Sequence, residues 1–374
     1  MLTILLALGL FACGTPRQAL DVENMTAEEL MPEAEKGRPE AQNALAIRYE
    51  QGDGVEMDTA EALQWYRKAA DQGFAKAQYN LGRYWYLGVG GQVDYDQAFQ
   101  WLSKAADQGL DRAQAMLGDC WYQGNGTEID YGKAFELYQK AADQGYGYGQ
   151  YMVGEYYYYG EGVQEDLETA VQWYQKAADQ QVPEAQYALA YLYAAGTGVE
   201  KDPAKAFDWA MKAAVQDDTM AQQFVAHCLL FGLGVEENPE EGIFWIQQAM
   251  ELEDPEAFRM MGSCYYYGDG VEQNFDQAIH YFNMGAERGS SEAMNSLGFC
   301  YHTGEGVEQD DAMAAEWFRK AADAGNAYGM GNLAECYEEG LGVQKDLEKA
   351  LELYRKAVEG GYTQMQEAVD RLEK

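Results

Sequence analysis

The heptapeptide GEGVQED, Gly160–Asp166, decides the fold because its pattern recurs throughout the chain. Its first glycine has eight counterparts, and every interval between successive copies is 36 residues, as the differences 88−52 and 340−304 show. These turn glycines are Gly52, Gly88, Gly124, Gly160, Gly196, Gly232, Gly268, Gly304 and Gly340. An unbroken period of this length is typical of stacked structural repeats.

Each repeat reads as two amphipathic helices separated by a glycine turn. In the copy AKAQYNLGRYWYLGVGGQVDYDQAFQWLSKAADQG, Ala75–Gly109, the residues Ala77, Leu81 and Trp85 recur at helical spacing before the turn. Glycine ends the first helix because it adopts the left-handed conformation at little cost. An acid or amide six residues after each turn glycine predicts the N-cap of the second helix. These predicted N-caps are Asp58, Asp94, Asp130, Asp166, Asp202, Asn238, Asn274, Asp310 and Asp346.

The sequence therefore predicts an all-α fold, a right-handed α/α solenoid of helix-turn-helix repeats with a 36-residue period. Thr26 and Glu29 have the spacing of a capping box, whereas Pro32 predicts that the helix they begin is shortened or kinked. The predicted segments are a signal peptide at 1–13, a linker at 14–25, an N-terminal half-repeat or cap at 26–37, nine repeats at 38–361 and a C-terminal capping helix at 362–374.

The collective pattern AxAQYxLGxxYxxGxGVxxDxxxAxxWYxKAADQG is similar to that of the Sel-1-like repeat (SLR) family, a relative of the tetratricopeptide repeats. The resemblance covers nearly the whole chain after residue 25. It implies an adaptor in membrane-associated assemblies, signalling, envelope polysaccharide export or host interaction, without indicating which. Cysteine-rich members of the family tie the two helices of a repeat together with two cysteines. Here the cysteines occur once per repeat at a different position, so neither that disulfide scheme nor a hydrolase activity is transferred.

The N-terminus predicts export. The apolar run Leu2–Ala12 has the length of a signal-peptide core and is too short to span a bilayer, which needs about 20 residues. The tetrad LFAC, Leu10–Cys13, followed by Gly14, resembles the lipobox of bacterial lipoproteins. The resemblance implies lipidation of Cys13, attachment to a membrane only through the lipid anchor, and a location in the periplasm or at the outer membrane. A non-lipidated export signal and a misassigned start codon are the alternatives.

The composition is strongly acidic. The chain has 26 Lys and Arg against 63 Asp and Glu, which gives a formal charge of −37. Such a charge repels phosphate backbones and anionic headgroups, so nucleic acid is not an expected partner. The acidic surface either steers basic partners toward the protein or serves the solubility of a long molecule.

No motif predicts catalysis or a cofactor. The turn GEGVQED lacks the Gly-Lys-Ser/Thr of a phosphate loop and the ligand register of an EF-hand. His227, His280 and His302 have no apparent Ser, Cys or Asp to orient them. We therefore expect no cofactor, no metal site and no small-molecule substrate.

The cysteines after Cys13 are predicted to be small buried residues. Each lies four residues before a turn glycine, so equivalent cysteines on stacked helices are about 8–10 Å apart. A disulfide needs Cα atoms about 4.4–6.8 Å apart, so neighbours should not bridge. These cysteines are Cys120, Cys228, Cys264, Cys300 and Cys336.

One face of the first helix in each repeat is the predicted binding surface. Positions nine, five and two residues before the turn glycine form a stripe opposite the packing positions. The stripe varies between repeats, and in helical-pair solenoids the first helices line the concave side, so these side chains should line a groove. The predicted groove residues are Tyr79, Arg83, Tyr86, Asp119, Tyr122, Tyr151, Glu155, Tyr158, Tyr187, Tyr191, His227, Arg259, Tyr266, Phe299 and His302.

Tyrosine in such a stripe offers large, rigid contact area with a polar tip. The alternative is that the 29 tyrosines of the chain reflect packing alone. We predict a non-catalytic scaffold or adaptor that binds a protein or peptide partner at the bacterial cell envelope. An envelope hydrolase of the kind attributed to cysteine-rich relatives, which would need a nucleophile and a base in contact, and a cytoplasmic SLR adaptor stay open.

Overall fold

A computed structural model describes residues 20–374 of the chain. The chain divides into two units, Met1–Glu165 and Asp166–Lys374, and each is described by itself. In the part of the chain that the structure describes, all regular secondary structure is helical and there is no strand. The predicted signal peptide, the lipobox and Cys13 lie outside the described residues.

From residue 20 onward the first unit contains eight helices, each in contact with the next along the chain. They are α1 (Ala27–Glu35), α2 (Pro39–Gln51), α3 (Thr59–Asp71), α4 (Ala75–Leu87), α5 (Tyr95–Asp107), α6 (Asp111–Gln123), α7 (Tyr131–Asp143) and α8 (Gly147–Tyr159). The predicted capping box of Thr26 and Glu29 begins α1. Pro32 lies inside this helix, which has 9 residues where α2 has 13, so the predicted shortening is confirmed.

The second unit continues the same alternation, and again each helix contacts the next. Its helices are α9 (Leu167–Ala178), α10 (Pro183–Ala195), α11 (Pro203–Ala214), α12 (Thr219–Phe231), α13 (Pro239–Glu251), α14 (Pro255–Tyr267), α15 (Phe275–Glu287), α16 (Ser291–Thr303), α17 (Asp311–Asp323), α18 (Ala327–Glu339), α19 (Leu347–Glu359) and α20 (Gln366–Leu372), with a short 3-10 helix, Thr363–Met365, before the last. The fold is the predicted α/α solenoid. The even-numbered helices α2–α18 are the first helices of the repeats, and the odd-numbered helices α3–α19 are the second.

The predicted turn glycines and N-caps are confirmed. Each turn glycine ends a first helix in the left-handed conformation, with φ between 65° at Gly232 and 85° at Gly268. Asp58 is representative of the caps, since its Oδ1 accepts from the N–H groups of Ala60 and Glu61 at 2.9 and 3.0 Å. These caps satisfy donors that a helix start otherwise leaves without a partner.

The core alternates small residues with large ones. A Cβ on Gly118 of α6 would lie 2.7 Å from the ring of Tyr138 on α7, so only glycine allows this close approach. The five cysteines of the described chain are buried and unpaired, as the prediction of small buried residues requires. Burial raises the pKa of the Cys120 thiol to about 12. These thiols therefore act as packing groups rather than nucleophiles.

Buried glutamines link neighbouring repeats, a feature that the sequence analysis did not predict. Gln78 is buried, donates from Nε2 to the carbonyl oxygen of Ala70 over 3.2 Å, and accepts from Nε2 of Gln108 over 2.7 Å. The same two bonds recur at Gln42 and Gln186. Each such glutamine ties the first helix to the second helices before and after it, which fixes the spacing of the repeats.

Candidate partner-binding groove

The first helices of neighbouring repeats approach one another directly. In the first unit α2 contacts α4 and α6 contacts α8, and in the second unit α16 contacts both α14 and α18. Side chains join them, as Asn80 Nδ2 donates to Asn43 Oδ1 over 3.0 Å and Asn332 Nδ2 donates to Asn295 Oδ1 over 2.8 Å. Asn43 and Asn295 stand nine residues before their turn glycines, so these two stripe positions contact the next first helix.

All predicted groove residues lie on first helices. In the first unit they are Tyr79, Arg83 and Tyr86 on α4, Asp119 and Tyr122 on α6, and Tyr151, Glu155 and Tyr158 on α8. In the second unit they are Tyr187 and Tyr191 on α10, His227 on α12, Arg259 and Tyr266 on α14, and Phe299 and His302 on α16.

Much of the stripe is half-buried. Tyr191 and Phe299 are 51% and 47% exposed, whereas Tyr79 and Tyr86 pack against a core cluster and Tyr187 packs against another. The alternative that tyrosines of the stripe also serve packing therefore holds for these three. The stripe is therefore a surface of partly buried aromatic side chains, among which Tyr191 and Phe299 are more exposed to solvent.

Asp119 lies at the centre of a tyrosine cluster in the first unit. Its Oδ1 accepts from the hydroxyls of Tyr138 over 2.7 Å and Tyr148 over 2.9 Å. Burial raises the pKa of the Asp119 carboxyl to about 6, although the two hydroxyl donors act to lower it. The rings of Tyr146 and Tyr151 lie with centroids 6.4 and 6.3 Å from that of Tyr148. The cluster thus holds one carboxylate among aromatic rings, and Tyr138 and Tyr148 were not predicted to belong to the site.

Two other acids of the first helices are held by a tyrosine and an arginine. The Tyr66 hydroxyl donates to Glu50 Oε2 over 2.6 Å, and Arg83 Nη2 lies 2.5 Å from Glu50 Oε1. Arg83, a predicted groove residue, is therefore occupied within the chain. The matching group near the C-terminus is Tyr354, Glu338 and Arg371, with Tyr354 donating over 2.9 Å and Arg371 lying 2.6 Å from Glu338.

An open pocket lies between α14 and α16 in the second unit. Its volume is about 230 Å³, and its lining includes Ser263, Tyr266, Asn295 and Phe299. These four residues stand five and two residues before Gly268 and nine and five before Gly304. All four are stripe positions, so neighbouring stripes enclose a cleft here. The Tyr266 hydroxyl donates to Glu305 at its edge.

The structure corrects one prediction about the histidines. His302 Nδ1 lies 2.8 Å from Asp311 Oδ1 at the start of α17, so the prediction that no histidine has an Asp beside it is wrong for His302. The turn after α16 brings Asp311 back against the helix end. His227 instead packs its ring against Phe231, and burial lowers the pKa of its imidazole. Among residues 20–374 no Ser, Thr or Cys is hydrogen-bonded to a histidine side chain.

Two further features bear on the kind of site. Within the described residues, no group of three or more His, Cys, Asp or Glu side chains is arranged to hold a metal ion. No helix from residue 20 onward is both long and apolar enough to cross a bilayer.

Fold and groove define a helical-pair repeat solenoid. The model of the Sel1 repeat matches nine consecutive segments. These segments are 39–74, 75–110, 111–146, 147–182, 183–218, 219–254, 255–290, 291–326 and 327–362. The chain belongs to the Sel1 repeat family, as the sequence resemblance predicted.

Solved structures agree with this assignment. A protective antigen present in uropathogenic Escherichia coli strains, with an SLR fold, is 31% identical, with a TM-score of 0.62 over 93% of this chain and 82% of that chain. A Sel1 repeat protein from Oxalobacter formigenes is 32% identical, with a TM-score of 0.58 over 65% of this chain and 96% of that chain. The comparison with curated proteins gives no significant match.

Proposed function

We propose that this protein is a non-catalytic scaffold that binds a protein partner along the stripe of first-helix side chains. Sel1 repeat proteins are typically interaction scaffolds, which supports the general role. The observation that carries the proposal is the cleft between α14 and α16, because four of its lining residues are stripe positions of two neighbouring repeats. A surface that varies between repeats and encloses a cleft suits recognition of a particular partner.

The chemistry of the stripe fits a protein or peptide. Partly buried tyrosines on rigid helices offer contact area at little conformational cost, and many modest contacts on a rigid frame add up to useful affinity. The formal charge of −37 favours a basic partner, because opposite charge speeds association and disfavours acidic competitors.

The cell envelope is the proposed location. It rests on the resemblance of Leu10–Cys13 to a lipobox, with lipid attachment at Cys13. The relative that is a protective antigen in uropathogenic strains supports a location that an immune response can reach. Labelling of the native protein with a fatty-acid analogue tests this. Incorporation that is lost in Cys13→Ala supports the anchor, and a full-length unlabelled chain that keeps residues 1–13 contradicts it.

Two phenylalanines provide a matched test of the groove. Phe299 on first helix α16 is 47% exposed, and Phe244 on second helix α13 is 48% exposed. We expect cross-linked co-purification from the native host to lose the partner with Phe299→Ala and to retain it with Phe244→Ala. If the partner is lost only with Phe244→Ala, or if both variants co-purify equal amounts of it, the binding surface does not lie on the first helices.

The hydrolase alternative has less support. It requires a nucleophile beside a base, and His302 is bonded to Asp311 rather than to a hydroxyl or thiol. Burial raises the pKa of the Cys300 and Cys336 thiols to about 12 and 11, which disfavours the thiolate that a cysteine nucleophile would need.

A further inference from the structure

Three tyrosines at one repeat position each bind an acid on the preceding first helix. The position is 14 residues after the turn glycine, as 66−52, 138−124 and 354−340 show. The pairs, with their hydrogen-bond distances, are Tyr66–Glu50 at 2.6 Å, Tyr138–Asp119 at 2.7 Å and Tyr354–Glu338 at 2.9 Å. One repeat position thus supplies the hydroxyl to three carboxylates, although Glu50 and Glu338 stand two residues before their turn glycines and Asp119 stands five before Gly124.

Two of the three pairs are completed by an arginine from the following helix. Arg83 binds Glu50 and Arg371 binds Glu338 through Nη2. Both arginines stand 17 residues after the tyrosine of their pair, as 83−66 and 371−354 show. A guanidinium offsets the cost of holding a carboxylate away from water, because it supplies both opposite charge and well-directed donors.

The pair of Tyr138 and Asp119 is not completed in this way. The residue 17 positions after Tyr138 is Glu155, so this position carries an acid instead of an arginine. Among the described residues no Lys or Arg forms an ion pair with Asp119, and a neutral hydroxyl, that of Tyr148, takes the second donor position.

The second oxygen of the Asp119 carboxylate is available. Both tyrosine hydroxyls bind Oδ1, and no described residue donates a hydrogen bond to Oδ2. Oδ2 is not among the buried polar atoms that lack a partner, so it keeps contact with solvent. Oδ2 is therefore the oxygen that a further donor can bind while both tyrosines stay on Oδ1.

We propose that Asp119 receives an arginine side chain of the bound partner, whose guanidinium plays the role that Arg83 and Arg371 play in the other two pairs. This inference rests on the proposed scaffold function and adds the chemistry of the partner's anchoring residue. Arginine fits better than lysine because its planar guanidinium binds a carboxylate in a fork and stacks on aromatic rings. Tyr148 brings one aromatic ring to this carboxylate through its hydroxyl, and the centroid of the Tyr151 ring lies 6.3 Å from that of Tyr148.

A matched pair of small probes tests the site on the full chain. N-acetyl-L-arginine amide carries the guanidinium, and N-acetyl-L-citrulline amide has nearly the same shape without the charge. With ring-labelled tyrosine, we expect the arginine probe to shift the NMR signals of Tyr138 and Tyr148 in the wild type and the citrulline probe to leave them unchanged. Equal responses to both probes would overturn the proposal.

Three variants make the test specific. Asp119→Asn keeps an oxygen that accepts from both tyrosines and removes the charge, so we expect at least tenfold weaker binding of the arginine probe. Glu136→Gln removes the charge of an exposed acid on second helix α7, outside the stripe, and we expect unchanged probe binding. Glu155→Arg places a guanidinium at the position of Arg83 and Arg371. We expect this side chain to pair with Asp119 and to prevent the arginine probe from binding there. Wild-type affinity in both Asp119→Asn and Glu155→Arg would overturn the proposal.

The partner distinguishes this inference from the function on which it rests. A partner that Phe299→Ala loses and Asp119→Asn binds as tightly as the wild type would leave the groove in place and overturn the arginine anchor. A partner that both variants retain would overturn the groove as well. We expect both variants to lose it and Glu136→Gln to keep it.

Discussion

The hydroxyl of Tyr138 donates to the carboxylate of Asp119 over 2.7 Å, which joins the second helix α7 to the stripe of the first helix α6. The contact holds an acid in a partly buried place that no cation of the described chain neutralises. A partly buried carboxylate without a counter-charge lowers the free energy of unfolding of the unbound protein. Such a local loss of stability is expected at a binding site, where the partner supplies the missing charge.

The pH dependence of stability follows from Asp119. Burial raises the pKa of its carboxyl from 3.8 to about 6, so between these values the folded state binds more protons than the unfolded state. The free energy of unfolding therefore falls as pH rises through this window. We expect Asp119→Asn to be more stable than the wild type by about 1–3 kcal/mol at pH 7 and equally stable near pH 4. Urea unfolding at the two pH values checks this, and a less stable variant at pH 7 would contradict it.

The opposite sign is expected at Glu50. Its carboxylate binds both Tyr66 and Arg83, so Glu50→Gln leaves the guanidinium of Arg83 without its counter-charge. We expect a loss of about 1–2 kcal/mol of unfolding free energy at pH 7, since the pair is partly exposed to solvent. The measurement is the same urea titration, and a gain in stability would show that Glu50 and Asp119 do not differ as described.

The buried glutamines contribute unequally. Gln78→Leu removes two hydrogen bonds, the one to the carbonyl oxygen of Ala70 and the one from Gln108, so we expect a loss of about 2 kcal/mol. Gln222 offers a matched control, because it donates to the carbonyl of Ala214 while its Oε1 has no partner. Gln222→Leu should therefore cost about half as much. Thermal unfolding of the two variants compares them, and equal losses would contradict the ranking.

Gly118 tests whether close packing positions Tyr138. A methyl group there would lie 2.7 Å from the Tyr138 ring, so Gly118→Ala must displace the ring that holds Asp119. We expect a loss of about 1–3 kcal/mol and a weaker response to the arginine probe. Gly132, on α7, meets only Asp130 Oδ1 at 3.4 Å, so Gly132→Ala should be neutral or stabilising by up to about 1 kcal/mol. The prediction fails if the two variants have the same stability.

The fold could be predicted because its determinants are local. A turn glycine such as Gly124 and a cap such as Asp130 act within a few residues, and the 36-residue period repeats their signal. Asp119 could be predicted as a stripe residue for the same reason. Its partners could not, because Tyr138 and Tyr148 are 19 and 29 residues away and meet it only through the packing of three helices.

Other contacts were missed for related reasons. The bond between Gln108 and Gln78 spans 30 residues, so a pattern read within one helix does not reveal it. His302 and Asp311 are nine residues apart across a turn whose return direction the pattern does not specify. A usable signal does exist, since an acid 16 residues before a tyrosine, with an arginine 17 residues after it, marks both completed pairs, at Tyr66 and Tyr354.

Site-specific photo-cross-linking tests the central claim most directly. A benzophenone amino acid is placed at Phe299 on first helix α16 in one sample and at Phe244 on second helix α13 in another, since the two side chains are equally exposed. After irradiation in the native host, the account predicts a partner adduct from position 299 and none from position 244. Adducts from position 244 alone would contradict the claim that this protein binds its partner along the first helices.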